Sequence, residues 1–226
     1  MNLRKAKCKC GSPLGLVWSD RHKCYVAHNE CFKCIDMYEK ELNLLVYHEK
    51  RIEIPPLFLD TKLELIPNDR ILTFTEDALT NGKDVSVLFH GTTGKGKSRA
   101  TWLLVEDWLL RHYPRSMQFA TARKLETLLV GSYSESVYAH DRNLKMLCST
   151  GLLVIDDLGK ERLTPRLETD LFAIIDERML EKLPTIITTN FNANGLIERF
   201  PTKETGMAVI RRIKDSFSVI GTGTDT

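Results

Sequence analysis

The sequence predicts an α/β fold, a parallel sheet flanked by helices, with a small separate module at its N-terminus. Three observations lead there. From about residue 85 onward, short apolar runs alternate with amphipathic stretches. A glycine-rich loop stands between the first of those runs and the helix-like stretch behind it. Five of the six cysteines crowd into residues 8–34, away from the alternation.

The elements follow in chain order. Residues 35–50 place Ile35, Tyr38, Leu42 and Leu45 near helical spacing. Pro55 and Pro56 then break the helix. This divides the chain into a module over 1–50, a linker over 51–58 and a main domain over 59–226. Residues 59–66 and 74–81 read as short helices. "VSVLFH" (85–90) is β-branched and apolar, a strand, and residues 97–112 form a helix around Trp102, Leu103, Val105 and Leu109. Strands at 117–121, 151–157, 184–190 and 216–221 alternate with helices at 122–130, 135–147 and 164–181 and with two later ones. Apolar strands interleaved with helices imply a parallel sheet covered on both faces.

Composition bounds the rest. At 226 residues, 42% hydrophobic and 27% charged, the chain is globular and long enough for one core plus an accessory module. No apolar run reaches the length of a membrane span, and "MNLRKAKCKC" lacks a signal-peptide core, so a cytoplasmic protein with no membrane partner is expected. Residues 1–34 carry seven basic side chains against two acidic ones. Such a segment suits nucleic acid or an acidic protein, or is simply a solvated face.

The loop Gly91-Thr92-Thr93-Gly94-Lys95-Gly96-Lys97-Ser98 fits G-x-x-x-x-G-K-[ST] between a strand and a helix. Glycines let backbone N–H groups converge on phosphate oxygens. The helix behind offers free amides and its positive dipole end. Lys97 supplies a point charge for the β- and γ-phosphates of ATP, or for the β-phosphate of ADP. Ser98 is a magnesium ligand, and Arg99 completes the segment expected to bind the nucleotide. Phosphoryl transfer also needs a carboxylate near the metal and a group to position water. "LLVIDDLG" offers Asp156 for magnesium and Asp157 for the water. "TIITTN" ends in Asn190, level with Asp156, where an amide can hold the water or touch the γ-phosphate.

Together, "GTTGKGKS", "LLVIDDLG", "PTIITTNF" and "VIRRIKDSFSVI" resemble the AAA+ helicase-loader family of DnaC and DnaI, and the related transposon ATPase IstB. The resemblance covers about residues 60–221 and implies an AAA+ ATPase core. In that family an arginine acting in trans lies late in the chain, in R-x-x-x-R-[ILM]. The matching segment here is "AVIRRIK", which carries the finger role to Arg212. Ala208 stands in place of the first arginine, and Arg211 is the alternative finger, with Arg199 next. Family members carry a sensor arginine after the last strand, whereas here no basic residue follows Lys214. The expectation is slow hydrolysis that times a switch, with no full helical lid.

Cys8 and Cys10, with Cys31 and Cys34, form two pairs about 20 residues apart. A reducing compartment disfavours disulfides, so the clustering points to metal. The pattern resembles a zinc ribbon or knuckle with thiolate ligands. Cys24 or His28 could replace a member, because the first pair is C-x-C. So short a segment can hardly fold without such a staple.

The leading expectation is an ATP-dependent loader of a hexameric replicative helicase, assembling as a homo-oligomer on single-stranded DNA. The N-terminal module would dock on the helicase; alternatively its basic residues, with Trp18 and Tyr25, would stack bases. Tyr138, Arg142 and Lys145 are further candidates for DNA contact. The alternatives are an IstB-like regulator of transposition and a non-hydrolysing adaptor gated by ATP.

Overall fold

The computed structural model describes residues 16–19, 24–27, 55–58, 60–112, 116–160 and 163–223. The chain divides into two units, Met1–Ile52 and Glu53–Thr226. In the first, β1 (Leu16–Ser19) and β2 (Cys24–Ala27) pair antiparallel, with Trp18 opposite Tyr25 in the register. The helix expected over 35–50, the residues Cys8, Cys10, Cys31 and Cys34, and His28 lie outside the described residues.

The second unit opens with two 3-10 turns, Pro56–Phe58 and Leu63–Leu65, and then α1 (Asp69–Thr80). β3 (Val87–His90), α2 (Lys97–His112), β4 (Met117–Thr121), α3 (Ala122–Glu135), α4 (Val137–Ser149) and β5 (Leu152–Asp156) follow. α5 (Pro165–Leu180), β6 (Thr185–Thr189), α6 (Ala193–Ile197), α7 (Lys203–Ser216) and β7 (Ser218–Gly221) complete it. The sheet runs β4-β5-β6-β3-β7, every pair parallel. This is the expected α/β architecture.

Local chemistry changed three of the expected helices. The helix expected at 59–66 is only the turn Leu63–Leu65, because Pro67 drives Ile66 into extended backbone (φ −93°, ψ 107°). The helix expected from 74 starts at Asp69, behind Asn68, whose side chain accepts the Ile71 N–H. Likewise α4 begins at Val137, not 135, where the Ser136 hydroxyl accepts the Ala139 N–H.

Alternation along the strands feeds two cores. On one face Leu88, Leu153, Ile155 and Ile187 join Leu125 of α3, Ile174 of α5 and Ile213 of α7 in one buried cluster. On the other, Phe89 meets Phe74 of α1 edge-on at 5.8 Å, and Phe119 stacks on Trp102 of α2 at 4.8 Å. Each aromatic pair adds about 0.5–1.5 kcal/mol beyond its burial.

Among the described residues, the Arg178 side chain is the fully buried cation. Arg178, in the last turn of α5, donates from Nε to Thr185 Oγ1 at 2.8 Å and from its terminal nitrogens to the carbonyls of Leu147, Cys148, Thr150 and Pro184. Burial pushes its pKa down to about 10, which leaves it charged at neutral pH. The guanidinium thereby ties the end of α4 to the segments that enter β5 and β6.

Candidate nucleotide-binding site

In an open parallel sheet, ligands bind beyond the carboxyl ends of the strands. Here the neighbouring strands β5, β6 and β3 end in Asp156, Thr189 and His90. Asp157, Asn190 and Gly91 follow them directly, so three separate sequence motifs meet at one edge.

The loop from Gly91 to Ser98 bends back before α2. Gly91 has φ +115°, and a Cβ there would overlap the Thr222 hydroxyl. Gly96 has φ +91°, and a Cβ would approach Ile66 Cγ2 to 2.9 Å. Both positions therefore exclude a side chain on two counts. Thr92, Thr93, Gly94 and Lys95 at the loop crest are exposed.

Lys97 is buried, though it carries a charge. Its Nζ donates to the carbonyls of Gly91 (2.6 Å) and Thr92 (2.9 Å) and to Asn190 Oδ1 (2.9 Å). Burial lowers its pKa, while Asp157 and Asp156 pull the other way. A buried ammonium with three neutral acceptors, at the head of a helix with free amides, fits an anion. The loop and Lys97 thus suit the phosphates of a nucleotide.

Asp156 is held by the Thr188 hydroxyl, which donates to its Oδ1 at 2.6 Å. Burial raises the Asp156 pKa, Thr188 opposes that shift, and Asp157 adds to it. A carboxylate this desolvated and this close to a second one suits a cation. Asp157 sits in left-handed backbone (φ +57°) and pairs with Lys160 at 3.2 Å.

A cavity of about 380 Å³ lies over the loop. Gly94 through Arg99, Asp157 and Asn190 line its polar side, and Leu57, Phe58, Leu65 and Pro67 its apolar side. The apolar wall is the part that sequence reasoning missed, since residues 51–58 read as a linker. Phe58 is braced by Trp102, ring centroids 6.4 Å apart. Arg99 donates to Thr61 Oγ1 at 3.2 Å, which fastens the start of α2 to this wall.

Other expected residues lie elsewhere. Arg212, on α7, is ion-paired with Asp176 of α5, and its guanidinium stands 4.4 Å from the Phe172 ring. Arg211 is exposed, with Asp215 at 3.8 Å. Arg199 donates to the carbonyls of Gly159 (2.7 Å) and Lys160 (3.1 Å) and lies over Phe191, so it braces the loop behind Asp157 in its own chain. Tyr138, Arg142 and Lys145 share an exposed face of α4. Among the described residues no group of three or more His, Cys, Asp or Glu could hold a metal ion, and no helix is long and apolar enough to cross a membrane.

The parallel five-stranded sheet flanked by helices is the fold of solved DnaI and DnaC helicase-loader structures. No protein-family model matches the chain. It is 26% identical over 134 residues to the replicative helicase loader DnaC of Escherichia coli K12, covering 59% of this chain and 52% of that protein. It is 22% identical over 139 residues to the replicative helicase loader DnaI of Bacillus subtilis, covering 60% and 43%. An ATP-binding protein of an insertion sequence from Mycobacterium tuberculosis is 23% identical over 128 residues, covering 57% and 49%. Among solved structures, the DnaC helicase loader superposes with a TM-score of 0.62 at 21% identity, covering 75% of this chain and all of that one. This chain is thus similar to the DnaC and DnaI helicase loaders and to the insertion-sequence ATP-binding protein. The match spans about half the length of those curated relatives.

Proposed function

We propose that the chain is an ATP-dependent loader of a ring-shaped replicative DNA helicase. The observation that carries this is the bond from Lys97 to Asn190. It joins the loop after β3 to the residue after β6, beside Asp157, in a chain similar to helicase loaders. A pair so placed can respond to the γ-phosphate and pass its presence to the strand ends.

In this reading Lys97 and the amides of residues 92–97 bind the phosphates. Ser98 and Asp156 hold magnesium, which supplies charge neutralisation at the β- and γ-phosphates. Asp157 orients the attacking water, with Asn190 beside it. Leu57, Phe58, Leu65 and Pro67 face the base. Arg212, or Arg211, serves the site of a neighbouring copy in an oligomer assembled on single-stranded DNA. The N-terminal module, residues 1–50, holds one zinc on Cys8, Cys10, Cys31 and Cys34 and docks on the helicase. Elemental analysis is expected to give about one zinc per chain, as for a single four-ligand site; metal-free protein purified without chelator would remove this part.

The test is a pull-down of the full chain with the host's hexameric replicative helicase, with and without ATP. Nucleotide-dependent capture that Lys97→Ala abolishes supports loading. The insertion-sequence relative favours a second reading, an ATPase that marks duplex DNA for transposition. No helicase capture, together with ATP-dependent binding to duplex DNA, would put that reading first.

A further inference from the structure

Thr188 lies near the middle of the site, in a strand whose residues are all buried. Its single hydroxyl makes two bonds. Oγ1 donates to Asp156 Oδ1 at 2.6 Å and accepts the backbone N–H of Asp157 at 2.9 Å. A hydroxyl has one proton, and an ionised carboxylate can only accept, so the direction of both bonds is fixed.

The second bond falls on a residue in left-handed backbone. Asp157 has φ +57°, a conformation that costs most side chains about 1–2 kcal/mol and that Asp visits more readily than most. The turn is held around it: the Leu158 N–H donates to the Thr188 carbonyl at 2.8 Å, and Thr189 Oγ1 donates to the Leu158 carbonyl at 2.7 Å. Had β5 continued straight, Asp156 and Asp157 would face opposite sides of the sheet. With the turn, Asp157 lines the cavity beside Lys97 and Asn190. Strand formation alone does not call for the hydroxyl, because valine has the same branched shape and suits a buried strand at least as well.

We propose that Thr188 is a positioning residue whose one hydroxyl orients the metal-binding carboxylate of Asp156 and fixes the turn that aims Asp157 into the site. This rests on the nucleotide-site reading above. Among the described residues, Thr188 makes no hydrogen bond to Lys97 or to the loop, so it acts on the metal's side of the site and not on phosphate binding as such.

The experiment is equilibrium binding of a fluorescent ATP analogue to the full chain, titrated with Mg²⁺, beside a thermal melt. For Thr188→Val, the Mg²⁺ concentration that half-maximally strengthens binding is expected to rise ~10–100-fold, the usual effect of losing a partner of a metal-binding carboxylate. Binding in chelator is expected to match wild type. Thr188→Ser is expected to restore the Mg²⁺ midpoint. Thr75→Val, which loses a buried hydroxyl of α1 bonded to the Ile71 carbonyl and outside the site, is expected to leave the midpoint in place. If Thr188→Val does not fold, Thr188→Ala is read in its stead. A folded Thr188 variant with the wild-type midpoint overturns the proposal, as does a serine variant that behaves like valine. An equal shift in Thr75→Val overturns it too, since general loosening would then suffice. Wild type that binds no nucleotide at any Mg²⁺ concentration removes the site reading itself, a different failure from a bound nucleotide indifferent to Thr188.

Discussion

Lys97 and Arg178 are both buried cations, set at opposite ends of the same strands, and they are built differently. Arg178 directs its donors at one hydroxyl and four carbonyls that belong to fixed elements. Lys97 donates to two carbonyls of a glycine-rich loop and to one amide at the end of β6. The first arrangement leaves nothing for a ligand to replace. The second consists of contacts that phosphate oxygens can exchange one for one. A buried charge is thus structural where its partners are immovable, and a candidate for function where they stand at a loop and an open cavity.

The largest effect expected from that contrast is on stability. Arg178→Leu strands several buried acceptors, so unfolding in denaturant is expected to show a loss of about 3–5 kcal/mol. Lys97→Ala is expected to change stability by less than about 1 kcal/mol, because its partners lie where water can reach them. Equal losses in the two variants would erase the distinction.

Next comes the loop. Gly91→Ala forces a side chain onto left-handed backbone and into Thr222, so a destabilisation of about 1–3 kcal/mol and loss of nucleotide binding are expected. Gly131, helical and with open space around its Cβ position, is the control. Gly131→Ala is expected to match or exceed wild type in stability to denaturant, by up to about 1 kcal/mol.

The smallest effects separate the paired arginines. Arg212→Ala gives up the Asp176 pair and the Phe172 stack, worth about 1 kcal/mol together. Arg211→Ala is expected to stay within about 0.5 kcal/mol of wild type. Hydrolysis then sharpens the comparison: whichever variant abolishes the rise in ATPase rate with protein concentration carries the trans role. Loss of that rise in Arg211→Ala alone would give the finger to Arg211 and leave Arg212 as a staple between α5 and α7.

Much of this site was legible because its parts are local. The spacing from Gly91 to Ser98, the apolar run ending in Asp156 and Asp157, and the polar end of "TIITTN" each announce themselves within eight residues. Alternation along the chain gave the class of fold as well, since strand and helix periods differ. What stayed hidden depends on contacts between distant segments. Arg178 sits in a helix where charge usually means solvent, and only the meeting of α4, β5 and β6 buries it. Thr188 looks like an ordinary β-branched strand residue until Asp156 and Asp157 are placed beside it. Phe58 lies in a proline-marked stretch that resembles a linker, and its role as cavity wall comes from packing on Trp102.

The central claim is that Lys97 has exchangeable partners because it holds phosphate. Titration of wild type and Lys97→Ala with fluorescent ATP, each beside a thermal melt, tests it most directly. Saturable binding by wild type is predicted, with no measurable binding by a Lys97→Ala protein that melts within a few degrees of it. A folded Lys97→Ala that still binds ATP with wild-type affinity would contradict the claim.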